Sequence, residues 1–353
     1  MKKIIINQIY IVVISFISFS FSQTRYIDEI FNEVEITEDI VYGNAPDLPF
    51  IFFIESNTYD VDIDLDVYEP AGDTEQSRPL LIFLYSGAFF TGSNELDDIV
   101  ALSESAAKRG FVAMAINYRL GLNILSGYSG ERAVFRGIQD LSAAIRFARE
   151  NHQEFRINPN KIFVWGSSAG AMIGLHLAVT EEEERPESTY GMFGDPDLGC
   201  IDCEGNNFIH SGKPNAVVSC WGAIGDLDWI DSHNQIPTIM FHGSADLIVP
   251  FNSGFPFTAN ITLPYVYGSA QIKDKMDELN IVNEFYPAEG EGHEYWGVIG
   301  GTWTNGPNDY FYEIQSNTYN FLIQFIEDEL IGDFNGDGII NVIDILNLVN
   351  LDL

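Results

Sequence analysis

The stretch Gly166-Ser167-Ser168-Ala169-Gly170 has residue types and a spacing that can do chemistry. It follows the apolar run Ile162 to Trp165 and opens a helical stretch, Ala169 to Val179. A serine in a strand–turn–helix of this kind sits on a tight turn with its hydroxyl thrust outward, which makes Ser168 the candidate nucleophile. Gly166 and Gly170 remove side chains that would collide in that turn. The positive end of the helix that follows points at an oxyanion forming on an attacked carbonyl. A second serine between glycines, in Gly127-Tyr128-Ser129-Gly130, lacks a preceding strand and reads as a turn.

A serine nucleophile needs a base, and the base needs an acid to hold its tautomer. In strand–turn–helix sites the chain order is serine, acid, histidine. The six histidines are His152, His176, His210, His233, His242 and His293. Asp246 stands in His242-Gly243-Ser244-Ala245-Asp246, just after the apolar run Thr238 to Phe241, and only His293 lies beyond it. His293 sits in Gly290-Glu291-Gly292-His293, a loop whose glycines let an imidazole reach across the top of a sheet. Asp226, Asp228 and Asp231 follow the preceding strand and form the reserve for the acid. His242 reads as a packing residue at a strand end.

Leu80 to Tyr85 is another apolar run, followed by Ser86-Gly87-Ala88-Phe89-Phe90. A strand ending in small residues exposes backbone N–H groups. Those of Gly87 and Ala88, with that of Ala169, are the expected oxyanion donors. Phe89, Phe90, Trp221, Tyr295 and Trp296 flank these loops; Phe89, Phe90 and Trp296 are taken as substrate contacts.

The elements that must position these residues follow from periodicity. Asp64 to Tyr68, Leu80 to Tyr85, Phe111 to Ile116, Ile162 to Trp165, Ala216 to Trp221 and Thr238 to Phe241 read as strands. Leu96 to Arg109, Ala133 to Glu154, Ala169 to Val179, Ile272 to Leu279 and Tyr310 to Leu330 read as helices. Continuous apolar strands alternating with helices imply an α/β fold with a mostly parallel sheet covered on both faces. Residues 181–213 break the alternation and read as an insertion, either a lid or a solvated loop. Within it Cys200 and Cys203 can close a small local disulfide, while Cys220, in an apolar run, reads as a buried thiol.

The stretches Asp66-Val67-Tyr68-Glu69-Pro70, Ser86-Gly87-Ala88-Phe89, Asn117-Tyr118-Arg119, Gly166 to Gly170, His242 to Asp246 and Gly292-His293 occur in one order along the chain. In them the chain resembles the α/β-hydrolase esterases, particularly the hormone-sensitive-lipase-like and carboxylesterase branches. The resemblance covers about Asp64 to Leu330 and implies an α/β-hydrolase fold, with the catalytic domain taken as residues 23–330. It also implies a serine carboxylic-ester hydrolase, with Ser168, Asp246 and His293 as the triad and no cofactor for catalysis. One departure is visible: such esterases open the oxyanion loop with His-Gly-Gly, and here it is Tyr85-Ser86-Gly87. A peptidase or amidase using the same triad, and a non-catalytic carbohydrate-associated binding protein on the same fold, are the alternative readings. The ester substrate is expected among polysaccharide-linked acetyl or feruloyl groups.

The two ends carry separate signals. Lys2-Lys3, an apolar stretch to Phe21 and Ser20-Phe21-Ser22 read as a cleavable leader over residues 1–22, which predicts a secreted or periplasmic protein without a membrane anchor. At the other end Asp333, Asn335, Asp337, Ile339 (through its carbonyl), Asn341 and Asp344 fall at the ligand positions of a calcium loop, with Gly338 at the sharp turn. Residues 331–353 resemble one dockerin repeat, which implies calcium and a cohesin-type or secretion-system partner. Composition narrows the rest. The chain has 353 residues, 17 Lys+Arg against 52 Asp+Glu, and a formal net charge of −35. Nucleic acid is excluded as a partner, because phosphate contacts need clustered cations. An anionic membrane surface is disfavoured for the same reason. Apolar residues at 46% supply a substantial core.

Overall fold

A computed structural model describes residues 24–49, 54–191, 194–259 and 262–326. The expected leader (1–22) and the calcium loop (Asp333, Asn335, Asp337, Ile339, Asn341 and Asp344) lie outside the described residues.

The chain runs β1 (Val34–Asp47), β2 (Tyr59–Pro70), β3 (Arg78–Leu84), α1 (Asp97–Lys108), β4 (Val112–Ile116), α2 (Gly127–Glu150), β5 (Ile157–Ser167) and α3 (Ala169–Val179). It continues through β6 (Ala216–Cys220), β7 (Ala223–Ile224), β8 (Thr238–Gly243), β9 (Ser253–Gly254), α4 (Pro256–Ala259), β10 (Val266–Gly268) and α5 (Ser269–Glu278). β11 (Asn283–Ala288), β12 (Val298–Ile299), β13 (Thr302–Trp303) and α6 (Asp309–Ile326) complete the described order.

One eight-stranded sheet has the order β1-β2-β4-β3-β5-β6-β8-β11. The β1/β2 and β2/β4 pairs are antiparallel, and from β4 onward every pair is parallel. Strands β3, β4, β6 and β8 are buried along their whole length. That is why they read as unbroken apolar runs rather than alternating ones. α3 packs on β5 and β6, α1 on β3 and β4, and α5 on β11. Among the described residues no helix is long and apolar enough to cross a membrane.

Two strands of this eight-stranded sheet were not visible as apolar runs. β1 is an edge strand with most of its side chains exposed, and its register slips twice, between Thr37/Ile40 and Val41/Gly43. Solvent on one side and two bulges erase the alternation that would have marked it. β11, at the other edge, carries Pro287, which an edge strand tolerates because it has an unpaired side. The glycine-flanked Ser129 is not in a turn. It lies in the first turns of α2, and a Cβ on Gly130 would stand 2.8 Å from Pro264 Cδ. The glycine is there for close packing.

The insertion after α3 lies along α2, tied to it by side chains that donate to its backbone carbonyls. Arg132 reaches Ser188 O (2.6 Å) and Pro196 O (2.8 Å), and Gln139 reaches Leu198 O (2.7 Å) and Cys200 O (3.0 Å). Arg146 reaches Glu204 O (2.7 Å) and Asn206 O (2.8 Å), and Arg149 reaches Lys213 O (3.0 Å). A segment without its own ladder must satisfy its carbonyls elsewhere, and this row of donors does so. Cys200 and Cys203 are joined as a disulfide, and Cys220 is a buried thiol whose pKa burial pushes up.

Arg119 and Asp140 form a buried pair, with Nε to Oδ1 at 2.8 Å and the Arg119 N–H to Oδ2 at 2.7 Å. Arg119 also donates to Pro46 O (2.9 Å), so one guanidinium joins β1, the turn after β4 and α2. Burial alone would lower the Arg119 pKa; the carboxylate beside it raises it instead. Asp140→Ala leaves that cation buried without its counter-ion. It should cost about 3–5 kcal/mol of unfolding free energy in urea denaturation, the range for breaking a buried pair from one side. A loss within that of a surface substitution would show that the pair is not a structural tie.

Candidate active site

The glycines around Ser168 are required by contact. A Cβ on Gly166 would stand 2.3 Å from the Gly170 carbonyl carbon, and one on Gly170 would stand 2.3 Å from Leu84 O. The end of β5 therefore presses onto the start of α3, and α3 onto β3, as only glycine allows. Ser168 at the apex has φ 53° and ψ −111°, a strained backbone for a residue with a Cβ. Its own N–H is held by Cys220 O at 3.0 Å, and Gly170 N–H by Tyr85 O at 3.2 Å.

Three loops at the carboxyl ends of β5, β8 and β11 bring Ser168, Asp246 and His293 together. His293 Nε2 lies 2.8 Å from Ser168 Oγ, and His293 Nδ1 lies 2.7 Å from Asp246 Oδ2. Nδ1 faces an acceptor-only carboxylate, so it carries the proton, and Nε2 is left to accept from the serine hydroxyl. The acid and histidine loops are stitched to each other: Ala245 N–H donates to Glu291 O (2.9 Å) and Gly290 N–H to Ser244 Oγ (2.8 Å). Gly243 permits this approach, since a Cβ there would stand 2.3 Å from Glu291 O. The hairpin beyond His293 is pinned to α1, with Asp98 N–H on Gly301 O (3.2 Å) and Trp303 N–H on Asp97 Oδ2 (2.8 Å).

The Asp246 side chain is fully buried. Burial pushes its pKa up, but hydrogen bonds from His242 and His293 outweigh this and hold the carboxyl well below the usual carboxylate range. Its other oxygen, Oδ1, accepts the N–H groups of Ile248 (2.7 Å) and Val249 (3.0 Å). The anionic form is therefore fixed at any pH where a histidine base can work. The reserve acids are elsewhere. Asp226 accepts from Asp228 N–H, and Asp231 from His233, so neither is bonded to His293.

The loop after β3 turns through three consecutive left-handed residues, Gly87 (φ 123°), Ala88 (φ 54°) and Phe89 (φ 59°). Phe89 O is held by Gly121 N–H (2.8 Å) and Leu122 N–H (3.2 Å), which fixes the loop from behind. Ala88, Phe89, Ser168 and Ala169 line one cavity. Gly87 shapes the turn: a Cβ there would meet Thr91 O at 1.9 Å. Tyr85, at the start of this loop, stacks on Tyr118 with ring centroids 4.2 Å apart, and Tyr118 Oη donates to Tyr85 O at 2.9 Å.

The cavity has a volume of about 1030 Å³. One face of α3, residues Ser168, Met172 and His176, runs along it to Thr180, a length of ~18 Å at 1.5 Å per residue. His176 is closed off chemically: Nε2 accepts from Gly225 N–H (3.1 Å), the ring packs on Trp229, and burial lowers its pKa to about 4. The expected aromatic contacts divide. Phe89 lines the cavity. Phe90 lines a separate one of about 360 Å³ behind the oxyanion loop. Trp296 is completely buried between Trp221 and Phe311 and makes no wall of the cavity. The substrate-contact assignment of Trp296 is therefore corrected to a core role under the histidine loop. Trp221, also buried, stands edge-on 6.1 Å from the His293 ring.

The sheet order and the convergence of loops at its carboxyl edge define the α/β-hydrolase fold, and solved structures agree. Thermogutta terrifontis esterase 2 phosphorylated by paraoxon matches with a TM-score of 0.55 at 21% identity, over 86% of this chain and 98% of that one. The propionate-bound form of the same esterase matches at 0.54 and 21%, over 86% and 97%. The BD-FAE family matches residues 65–232. Carboxylesterase 3B of Mus musculus is 34% identical over 114 residues, 31% of this chain and 19% of that protein. Juvenile hormone esterase of Tribolium castaneum is 31% identical over 115 residues, 32% and 19% respectively. The chain thus spans about a fifth of the length of the curated relatives it matches.

Asp246→Asn keeps the shape but offers His293 Nδ1 an amide, which lets the imidazole take the wrong tautomer. Turnover of an activated ester should fall ~10⁴-fold while the melting temperature changes little. Undiminished turnover in the folded variant would remove Asp246 from the site.

Proposed function

We propose that the chain is a carboxylic-ester hydrolase that works through an acyl-enzyme on Ser168. The observation that carries this reading is the continuous contact from Ser168 Oγ through His293 to buried Asp246. His293 Nε2 takes the hydroxyl proton as Oγ attacks the ester carbonyl. In this reading the backbone N–H groups of Gly87, Ala88 and Ala169 donate to the growing oxyanion, each donor of this kind contributing about 3 kcal/mol to the transition state. The first N–H of a helix has no partner within the helix, so that of Ala169 is available for this. His293 then returns the proton to the departing alcohol, and a water repeats the sequence to release the acid. The relatives and solved structures named above are esterases by name, which favours this reading over peptide or amide cleavage.

The cavity supports a large, uncharged substrate. Its described lining holds Glu131, Glu187 and Asp226 but no lysine or arginine, in a chain of formal charge −35, so an anionic ester is disfavoured. Its volume lies at the top of the range for small-molecule sites, about 300–1,000 Å³, and far exceeds an acetyl group. Of the polysaccharide-linked acetyl and feruloyl esters, the aromatic one suits this lining better. We further propose that the protein is secreted or periplasmic. Calcium, bound by Asp333, Asn335, Asp337, Ile339, Asn341 and Asp344, would then order a tail for a cohesin-type or secretion-system partner.

Wild-type protein should hydrolyse p-nitrophenyl esters and methyl ferulate, and Ser168→Ala should lose several orders of magnitude of that activity. Failure of every ester in such a panel would contradict the proposal. Met172→Trp, in the wall of the cavity, should raise KM for aryl and long-chain esters and leave p-nitrophenyl acetate nearly unaffected; equal effects on both would place the acyl group elsewhere. For the tail, titration calorimetry of the full chain against a chain ending at Ile331 should show calcium binding only in the first. Chelation should leave ester hydrolysis intact, because the triad chemistry uses no metal.

A further inference from the structure

We propose that His242 is a positioning residue for the triad: a second imidazole, behind Asp246, that holds the acid in its rotamer and keeps it anionic. The inference rests on the ester-hydrolase reading and adds a residue to its machinery.

Three observations carry it. First, His242 Nε2 stands 3.3 Å from Asp246 Oδ2, the same oxygen that His293 Nδ1 reaches at 2.7 Å. Both the His242 and the Asp246 side chains are at 0% exposure, so the two rings and the carboxylate meet away from bulk solvent. Second, the chemistry around His242 fixes which nitrogen bears the proton. Nε2 also lies 3.1 Å from Val249 O, an acceptor only, so Nε2 carries hydrogen. Nδ1 then accepts from Ser269 Oγ at 2.8 Å. The competing acceptor for that hydroxyl, Gly222 O, is at 3.5 Å and is the weaker partner. Third, the ring is clamped, with Phe251 edge-on at 5.6 Å. The contacts therefore run Ser269–His242–Asp246–His293–Ser168, from the first residue of α5 to the nucleophile.

The physical need is clear. A buried carboxylate short of donors takes up a proton, and a protonated Asp246 would offer a hydrogen to His293 instead of accepting one. Backbone N–H groups donate to Oδ1, His293 Nδ1 donates to Oδ2, and His242 Nε2, whose N–H is shared with Val249 O, stands 3.3 Å from Oδ2. The titratable groups paired with Asp246 among the described residues are His242 from β8 and His293 from the loop after β11; α5 contributes only the hydroxyl of Ser269. Gly243, beside His242, cannot move away, because it is packed against the histidine loop.

The test is kinetic, normalised to active sites counted with a fluorophosphonate. His242→Leu removes the donor, and kcat per active site should fall ~10- to 100-fold, the cost of a small misplacement in a catalytic array, with KM little changed. The acidic limb of the kcat/KM–pH profile should move to higher pH. Loss of the neighbouring imidazole raises the Asp246 pKa and leaves the carboxylate charge to act on His293 alone. His242→Gln restores an N–H donor at similar reach and should recover most of kcat and return the limb. Ser269→Ala should move the limb the same way by less. A packing role alone would lower the melting temperature and the count of active sites but leave the limb in place. An unmoved limb with unchanged kcat per active site in His242→Leu overturns the proposal; if that variant does not fold, an unmoved limb in Ser269→Ala does so. Failure of the ester-hydrolase reading would look different, since the parent protein would then hydrolyse no ester.

Discussion

The hydrogen bond between Asp246 and His293 joins two loops that leave neighbouring parallel strands, and the rest of the site is arranged around it. The acid loop after β8 and the histidine loop after β11 have no covalent reason to stay in register. They are held by the β8/β11 ladder beneath them, by Ala245 and Gly290 N–H groups across the gap, and by the absence of a side chain at Gly243. With that contact fixed, His293 can meet a serine only where the β5 turn presents one. The same close packing at Gly166 and Gly170 puts it there and strains its backbone.

Electrostatically the site opposes the rest of the molecule. The chain is strongly acidic, while the buried Asp246 carboxylate is met by two backbone N–H groups and His293, with the His242 ring 3.3 Å behind it. An acidic exterior does not threaten that charge, because buried donors act at contact distance and surface charges are screened over about 10 Å of salt solution. In the proposed ester-hydrolase reading, carboxylates and no described cations in the cavity lining would favour neutral esters.

Much of this was legible in the chain because the constraints are local. A nucleophile turn needs glycines two residues either side of the serine, and chain order leaves one histidine after Asp246. The buried parallel strands announce themselves as apolar runs. The remainder depends on contacts between distant segments. Whether Trp296 faced substrate or core turned on Trp221 and Phe311, which adjacency to His293 does not reveal. The role of His242 depends on Ser269, 27 residues away and on another element, and its place in His-Gly-Ser-Ala-Asp was the only trace. The edge strands β1 and β11 escaped because half-solvated strands with bulges or proline lose their alternation.

Labelling with a fluorophosphonate followed by peptide mapping tests the central claim most directly. One adduct per chain should form on Ser168, and ester hydrolysis should disappear in step with it. An adduct on another serine, or hydrolysis that survives complete modification of Ser168, would contradict the account.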